Sequence, residues 1–155
     1  MFERFKGFLR RDRNPDIVEL QESAVKSVAG DIVDLQDGEW HDREWVYIAV
    51  NHEVLAEEGE RSSTQARVLA QKPGGELENL GFRLSQSTKL KLLVLRDAMA
   101  NRGANRWTVL DLTIERSGHY DFSFSYTPPP RLNGDLLHAP LSNLLERYIN
   151  QRGER

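Results

Sequence analysis

The chain has 155 residues, of which 39% are hydrophobic and 29% are charged, and this balance is typical of one globular domain. It contains no cysteine, which excludes disulfides, thiolate catalysis and cysteine-ligated metal centres. Its formal net charge of −3 argues against a strongly basic nucleic-acid binder on the whole-chain average, and no apolar run approaches the roughly 18 residues that predict a membrane-spanning helix.

Residues 1–14 are predicted to form a basic leader or a short helix. Five of the first 13 side chains are basic, and Phe2, Phe5, Phe8 and Leu9 recur at helical spacing. Charges interleave with these apolar residues and no small-residue cleavage site follows, so we do not expect a secretory signal here. A helix on a membrane surface would fit the pattern, but we expect a helix packed on the domain or a frayed leader.

A long amphipathic helix is predicted to begin at Asn14-Pro15-Asp16. Asn14 is a good N-cap, and Pro15 suits the first helical position because its missing N–H has no partner there in any case. Apolar residues then recur every three or four positions from Ile17 to Leu35. The helix is expected to end near Asp37-Gly38.

Two or three short strands are predicted to follow. Residues 45–50 are rich in aromatic and β-branched side chains and predict the first strand. Residues 52–63 are acidic and contain a glycine, and they predict a loop or a wide hairpin connection. Residues 66–71 predict a second strand, the Lys-Pro-Gly-Gly sequence at 72–75 predicts a turn, and residues 76–84 have room for a short third strand.

A second helix is predicted to begin at Ser85 or Ser87, either of which can cap it, and to stop at Gly103. Its apolar side chains favour a well-buried helix, since two leucines widen the face formed by the other four. The face is predicted to consist of Leu90, Leu93, Val94 and Met99, widened by Leu92 and Leu95.

The remaining pattern predicts a hairpin and a C-terminal helix. Residues 107–114 and 119–126 predict two strands around a tight turn at 116–118, and the second strand alternates aromatic with polar residues. Three prolines at 128–130 end that strand because proline cannot continue a hydrogen-bonded ladder. Residues 140–151 predict a helix with Leu141, Leu144, Leu145 and Tyr148 on one face.

Short turns between strands make the strands antiparallel, which decides the fold class. The sequence therefore predicts a single α+β domain over residues 15–155. In this domain an antiparallel sheet of four to five strands packs against an N-terminal, a central and a C-terminal helix.

No catalytic motif is present. The chain has no serine nucleophile elbow, no Walker loop, no dinucleotide fingerprint and no Glu-x-Lys or Asp-x-Lys step. His41, Asp42, Glu44 and His52 could supply metal ligands, but their spacing matches no metal motif and favours ordinary surface residues. We therefore expect no metal, no cofactor and no catalytic residue.

The other histidines and the tryptophans have alternative interpretations. His119 and Asp121 lie two residues apart on one strand, where they would form either a base with its orienting carboxylate or the solvated side of a hairpin. Trp45 and Trp107 begin strands and favour core positions, whereas Trp40 is expected to be partly exposed and available to a partner.

The charge is distributed unevenly along the chain. Residues 1–15 carry +3 and residues 61–155 carry +5, whereas residues 16–60 hold thirteen acidic side chains against Lys26 and Arg43, for a net charge of −11. Like charge at this density opposes compaction by self-repulsion, a cost that is easiest to explain if the carboxylates face a basic partner. A merely solvated acidic face is the alternative.

Several features between residues 16 and 150 carry a family resemblance. They are the first helix followed by Glu39-Trp40, the strand that begins at Trp45, the leucine-rich helix ending at Gly103, and the paired strands at 106–110 and 118–126. In these features the chain resembles the YezG-like immunity (antitoxin) family. Members of that family protect a bacterium from its own or a neighbour's secreted toxin.

The resemblance implies a cytoplasmic, non-enzymatic inhibitor of a toxin, commonly a nuclease delivered by contact-dependent or polymorphic toxin systems. It implies a protein partner with a basic groove, and neither a nucleic acid nor a membrane. A small enzyme using His41, His52 or His119, and a scaffold or adaptor for another basic partner, remain alternatives. The candidate toxin contacts are Asp31, Asp34, Asp37, Glu39, Trp40, Asp42, Glu53, Glu57, Glu58 and Glu60.

Overall fold

The structure is a computed structural model that describes residues 16–55, 61–101 and 105–153. Its helices and strands follow the predicted order of helix, two or three strands, helix, two strands and helix, with three strands after the first helix. The elements are α1 (Ile17–Asp31), β1 (Glu44–Leu55), β2 (Arg61–Gln71), β3 (Glu78–Gly81), α2 (Gln86–Asn101), β4 (Val109–Glu115), β5 (Tyr120–Ser125), a single 3-10 turn (Arg131–Asn133) and α3 (Leu144–Gly153). The predicted α+β class is confirmed.

The five strands form one antiparallel sheet in the order β3-β2-β1-β4-β5. The longest strand, β1, lies at the centre and pairs with β2 from Glu44 opposite Gln71 to Leu55 opposite Arg61. The predicted loop at 52–63 is therefore wrong at both ends, because residues 52–55 complete β1 and residues 61–63 begin β2. Pairing across the two long strands overrides the polar composition of this segment.

Alternation along the central strands divides the core between the two faces of the sheet. Ile48, Val50 and Val54 pack in the larger cluster, to which α1 and α2 contribute. Ala49 packs in a smaller cluster with side chains of α3. The sheet thus has α1 and α2 on one face and α3 on the other, as a side-chain period of two requires.

The first helix begins and ends differently from its prediction. Asp16 is the N-cap, and its carboxylate accepts a hydrogen bond from the N–H of Val18 at 3.1 Å; Asn14 lies outside the described residues. The helix ends at Asp31 rather than near Gly38. Ile32 and Leu35 are still buried, but they belong to a connection that crosses to β3, where Leu35 forms an isolated bridge with Phe82.

The second helix is capped by Ser85, whose Oγ accepts from the N–H of Thr88 at 3.1 Å. Leu92 and Leu95 are fully buried, as predicted, but Leu90 and Val94 are about half exposed. The predicted apolar face was thus partly wrong, because the sheet and α1 cover the leucines at 92 and 95 rather than those two positions. The predicted stop at Gly103 lies outside the described residues.

The predicted hairpin of β4 and β5 is present, and its register places Leu112 opposite Phe122. Gly118 has φ of 104°, so its turn uses the backbone freedom of glycine. Trp107 is fully buried, as predicted for a core position, and its ring lies 5.6 Å from that of Phe124. Trp45 is partly buried against the same core.

Candidate functional site

The connection between α1 and β1, residues 32–43, places five of the ten predicted contact residues near the edge strand β3. One end of the connection is held by Arg83. The Nη1 of Arg83 donates to the Asp34 carboxylate at 3.0 Å and to the carbonyl of Leu35 at 2.7 Å, and its Nη2 donates to the carbonyl of Gln36 at 3.3 Å. The Gln36 N–H also donates to the carbonyl of Gly81 at 2.9 Å, which fixes this end to β3.

The other end of the connection is held by Arg43. Its guanidinium contacts both carboxylate oxygens of Glu78 on β3, at 3.2 and 3.3 Å. Its Nη1 also donates to the carbonyls of Glu39 and Trp40, at 2.7 and 3.1 Å. A planar guanidinium that is engaged on several sides fixes the backbone more strongly than a single bond would.

Between these two arginines, Asp37, Glu39 and Asp42 are exposed. We call these three residues the acidic loop. Gly38 and His41 have positive φ values of 79° and 58°, so two left-handed residues shape the turns between the carboxylates. The arginines bind backbone carbonyls of the connection, and the carboxylates of the acidic loop remain accessible to a partner.

Three further predicted residues lie beside the acidic loop in different environments. Asp34 is exposed and forms the ion pair with Arg83. Trp40 is partly buried and packs against the main core. Asp31 is partly buried and accepts from the N–H of Ser85 at 2.9 Å and from the Thr88 hydroxyl at 2.6 Å. Asp31 therefore joins α1 to the start of α2, and its carboxylate is already engaged.

Glu53 was predicted as a surface contact, and its position contradicts that prediction. The residue lies within β1 and its side chain has no exposed surface. Its carboxylate accepts from the N–H groups of Arg131 and Leu132, at 3.2 and 3.0 Å, and faces the Arg131 guanidinium at 3.5 Å. Glu53 thus fixes the segment after β5 to the sheet and offers nothing to a partner. The remaining candidates, Glu57, Glu58 and Glu60, lie outside the described residues.

The histidines are not brought together. His41 is exposed at the acidic loop, whereas His52 is buried in β1. The His119 Nε2 lies 3.2 Å from an Asp121 carboxylate oxygen, but both side chains are more than half exposed, so water competes with the contact. In the part of the chain that the structure describes, no three His, Asp or Glu residues are grouped to hold a metal ion.

His52 has an environment that the sequence did not indicate. Its Nδ1 lies 2.8 Å from the Thr64 hydroxyl across the β1–β2 pair. Burial, reinforced by the positive charges of Lys89 and Arg131, lowers the pKa of His52 to about 4. The ring is therefore neutral at pH 7.

Comparison with protein-family models and with curated proteins finds no match for this sequence. Within the described ranges 16–55, 61–101 and 105–153, none of the helices has the length and apolar composition needed to cross a bilayer. The fold and the acidic loop therefore carry the functional interpretation.

Proposed function

We propose that this protein is an immunity protein that binds and neutralises a cognate bacterial toxin through the acidic loop. The toxin is a nuclease effector with a basic active-site groove, and the protein acts in the cytoplasm, as a binding protein rather than an enzyme, without a cofactor. The observation that carries the proposal is the set of exposed carboxylates on a connection fixed at both ends by Arg43 and Arg83.

Pre-organisation is the first physical support. A flexible loop loses conformational entropy when a partner orders it, and this loss reduces affinity. The acidic loop has its turns set by left-handed residues and its flanking carbonyls bound by arginines before any partner arrives. Less ordering is therefore left to the binding step.

Charge is the second support. A nuclease groove attracts phosphate, so carboxylates spaced along a loop can occupy it as phosphate mimics. Complementary fields raise association rate constants toward roughly 10⁸–10⁹ M⁻¹s⁻¹ at low salt, about a hundredfold or more above those of neutral pairs. Fast capture suits an immunity protein because free toxin damages the cell until it is bound.

The test is to mix the purified protein with the toxin domain encoded by the neighbouring gene and to measure binding and toxin activity. We expect a stable complex and loss of toxin activity. An absence of complex at low salt would overturn the proposal. If the toxin stays active and does not bind this protein, and a different basic protein binds the acidic loop, the result would instead favour an adaptor.

Charge reversal locates the binding surface. The double variant Glu39→Lys/Asp42→Lys should slow association by about tenfold at low salt, with a smaller effect on dissociation. The matched control Asp97→Lys/Asp121→Lys makes the same change in net charge at exposed positions on α2 and on β5, the strand at the opposite edge of the sheet from β3. Equal slowing by both variants would show that only overall charge matters and would remove the acidic loop from the interface.

A further inference from the structure

A polar cavity interrupts the otherwise apolar side of the β1–β2 hairpin that faces the helices. Side chains on this side pack in the main core along most of both strands, from Ile48 to Val54 and from Ala66 to Ala70. His52, Ser62 and Thr64 are polar exceptions on this face, and all three line cavities. Of the three, only His52 is buried, and a buried polar ring costs free energy unless its nitrogen atoms are hydrogen bonded.

The cavity lies between the start of α2 and the ends of β1 and β2. It has a volume of about 210 Å³, and its polar lining comes from His52, Ser62, Gln86 and Lys89. A second cavity of about 270 Å³ shares Ser62 and Lys89 with the first and extends toward Arg83. The two cavities therefore adjoin, and cationic side chains line them.

Two of the lining groups have unused hydrogen-bonding capacity. The His52 side chain is buried, and its Nδ1 is engaged by Thr64, which leaves Nε2 without a partner among the described residues. Lys89 is partly buried, and its side-chain ammonium makes no hydrogen bond or ion pair within the same described ranges. When the Thr64 hydroxyl donates to Nδ1 of the neutral ring, Nε2 carries the proton and is a donor toward the cavity.

The field in the cavity favours an anion. Gln86 is the first residue of α2, a helix of 16 residues whose N-terminal end carries a partial positive charge. The charged residues that line the two cavities in the described part of the chain are Lys89 and Arg83, and both are cations. Glu53 lies on the opposite face of the sheet, where it is paired with Arg131, and Asp31 is engaged by the cap of α2.

We propose that this cavity binds a small anion carrying a phosphate group, held by the Lys89 ammonium, the His52 Nε2–H, the Ser62 hydroxyl and the Gln86 amide. Donors from two strands and a helix suit a tetrahedral oxyanion, which accepts hydrogen bonds in more directions than a carboxylate does. The adjoining cavity has room for an organic group on the phosphate. This site is separate from the acidic loop and does not depend on the proposed toxin.

Histidine NMR on the full-length protein tests the site, with inorganic phosphate as the probe and chloride keeping the ionic strength constant. Phosphate in the millimolar range should shift the His52 ring signals saturably. The bound anion should also raise the pKa of His52 by roughly one to three units, as expected for an opposite charge nearby. Ring signals that do not move, or that move linearly with phosphate like those of exposed His119, would overturn the proposal.

Variants separate the site from general ion effects. Lys89→Gln should weaken phosphate binding about tenfold or more, while Lys91→Gln should leave it unchanged. Lys91 lies on the same helix but is hydrogen bonded to Ser23, away from the cavity. Equal weakening by both variants would show non-specific binding. A phosphate monoester such as glycerol phosphate identifies the source of the group: tighter binding than phosphate indicates an organic ligand, and equal binding indicates free phosphate.

Discussion

Replacing Arg131 by Met tests whether the buried pair of Glu53 and Arg131 stabilises the fold. The Arg131 guanidinium is nearly inaccessible, and its Nε and Nη2 donate to the hydroxyl and carbonyl of Ser63 at 2.8 and 3.0 Å. Nη2 also lies 3.3 Å from the Asn51 carbonyl. Methionine fills much of the same volume but removes the positive charge and these donors.

The loss of unfolding free energy arises because Arg131→Met leaves the Glu53 carboxylate buried without its cation. Glu53 keeps the two backbone N–H groups of residues 131 and 132 but loses its only cation within 4.0 Å among the described residues. Breaking a buried ion pair by removing one partner costs about 3–5 kcal/mol, because the remaining charge has no water. For a chain of this size we therefore expect the melting temperature to fall by roughly 10 °C.

Urea unfolding followed by circular dichroism measures the effect. Arg131→Met should lose about 3–5 kcal/mol of unfolding free energy, and Glu53→Gln about 1.5–3 kcal/mol, because the amide retains an acceptor for one of the two N–H groups. The double variant Glu53→Met/Arg131→Met should be more stable than the sum of the single losses predicts. A loss below about 1 kcal/mol for Arg131→Met would refute this account of the pair.

Three further predictions concern the core, the cap and the buried histidine. Leu92→Ala should lose about 2–5 kcal/mol of unfolding free energy and Leu90→Ala less than about 0.5 kcal/mol, since only the first empties a core position; similar losses would contradict the observed face of α2. Ser85→Ala should cost about 1 kcal/mol and Ser87→Ala almost nothing in the same urea assay, and the reverse order would assign the cap to Ser87. Burial lowers the pKa of His52 to about 4 in the folded chain, against an ordinary value of 6.5, so the unfolded chain binds more protons between these values. The unfolding free energy should therefore fall by up to about 3 kcal/mol as the pH drops from 6.5 to 4, and His52→Asn should remove that part of the slope when unfolding is measured across the range.

The spacing of apolar residues predicted those helices and strands whose buried face can be read from their own residues. The alternation of Tyr120, Phe122 and Phe124 indicated β5 because a single face of that strand packs on the core. The end of α1 could not be predicted in the same way. Leu35 continues the helical spacing, but its burial arises from a bridge to Phe82, which lies 47 residues away in the chain.

The candidate site was predictable only in part, for the same reason. Asp37, Glu39 and Asp42 could be identified as exposed carboxylates because a turn-rich acidic segment seldom enters a core. Glu53 looked similar in sequence, yet its partner Arg131 lies 78 residues further along the chain. An isolated arginine after three prolines gives no local sign that it will be buried, and the cavity beside His52 likewise depends on residues from three elements.

The α1–β1 connection also covers the edge of the sheet that β3 forms. As the outermost strand, β3 would present unpaired backbone groups, the kind of edge on which strands from other molecules can add. Two contacts hold the connection against this edge. Arg43 forms an ion pair with Glu78 at the start of β3, and the Gln36 N–H donates a hydrogen bond to the carbonyl of Gly81 at the end of β3. The segment that presents carboxylates to a partner therefore also keeps strands of other molecules from pairing with β3. A substitution that detaches this segment from β3 would expose an edge on which molecules can aggregate.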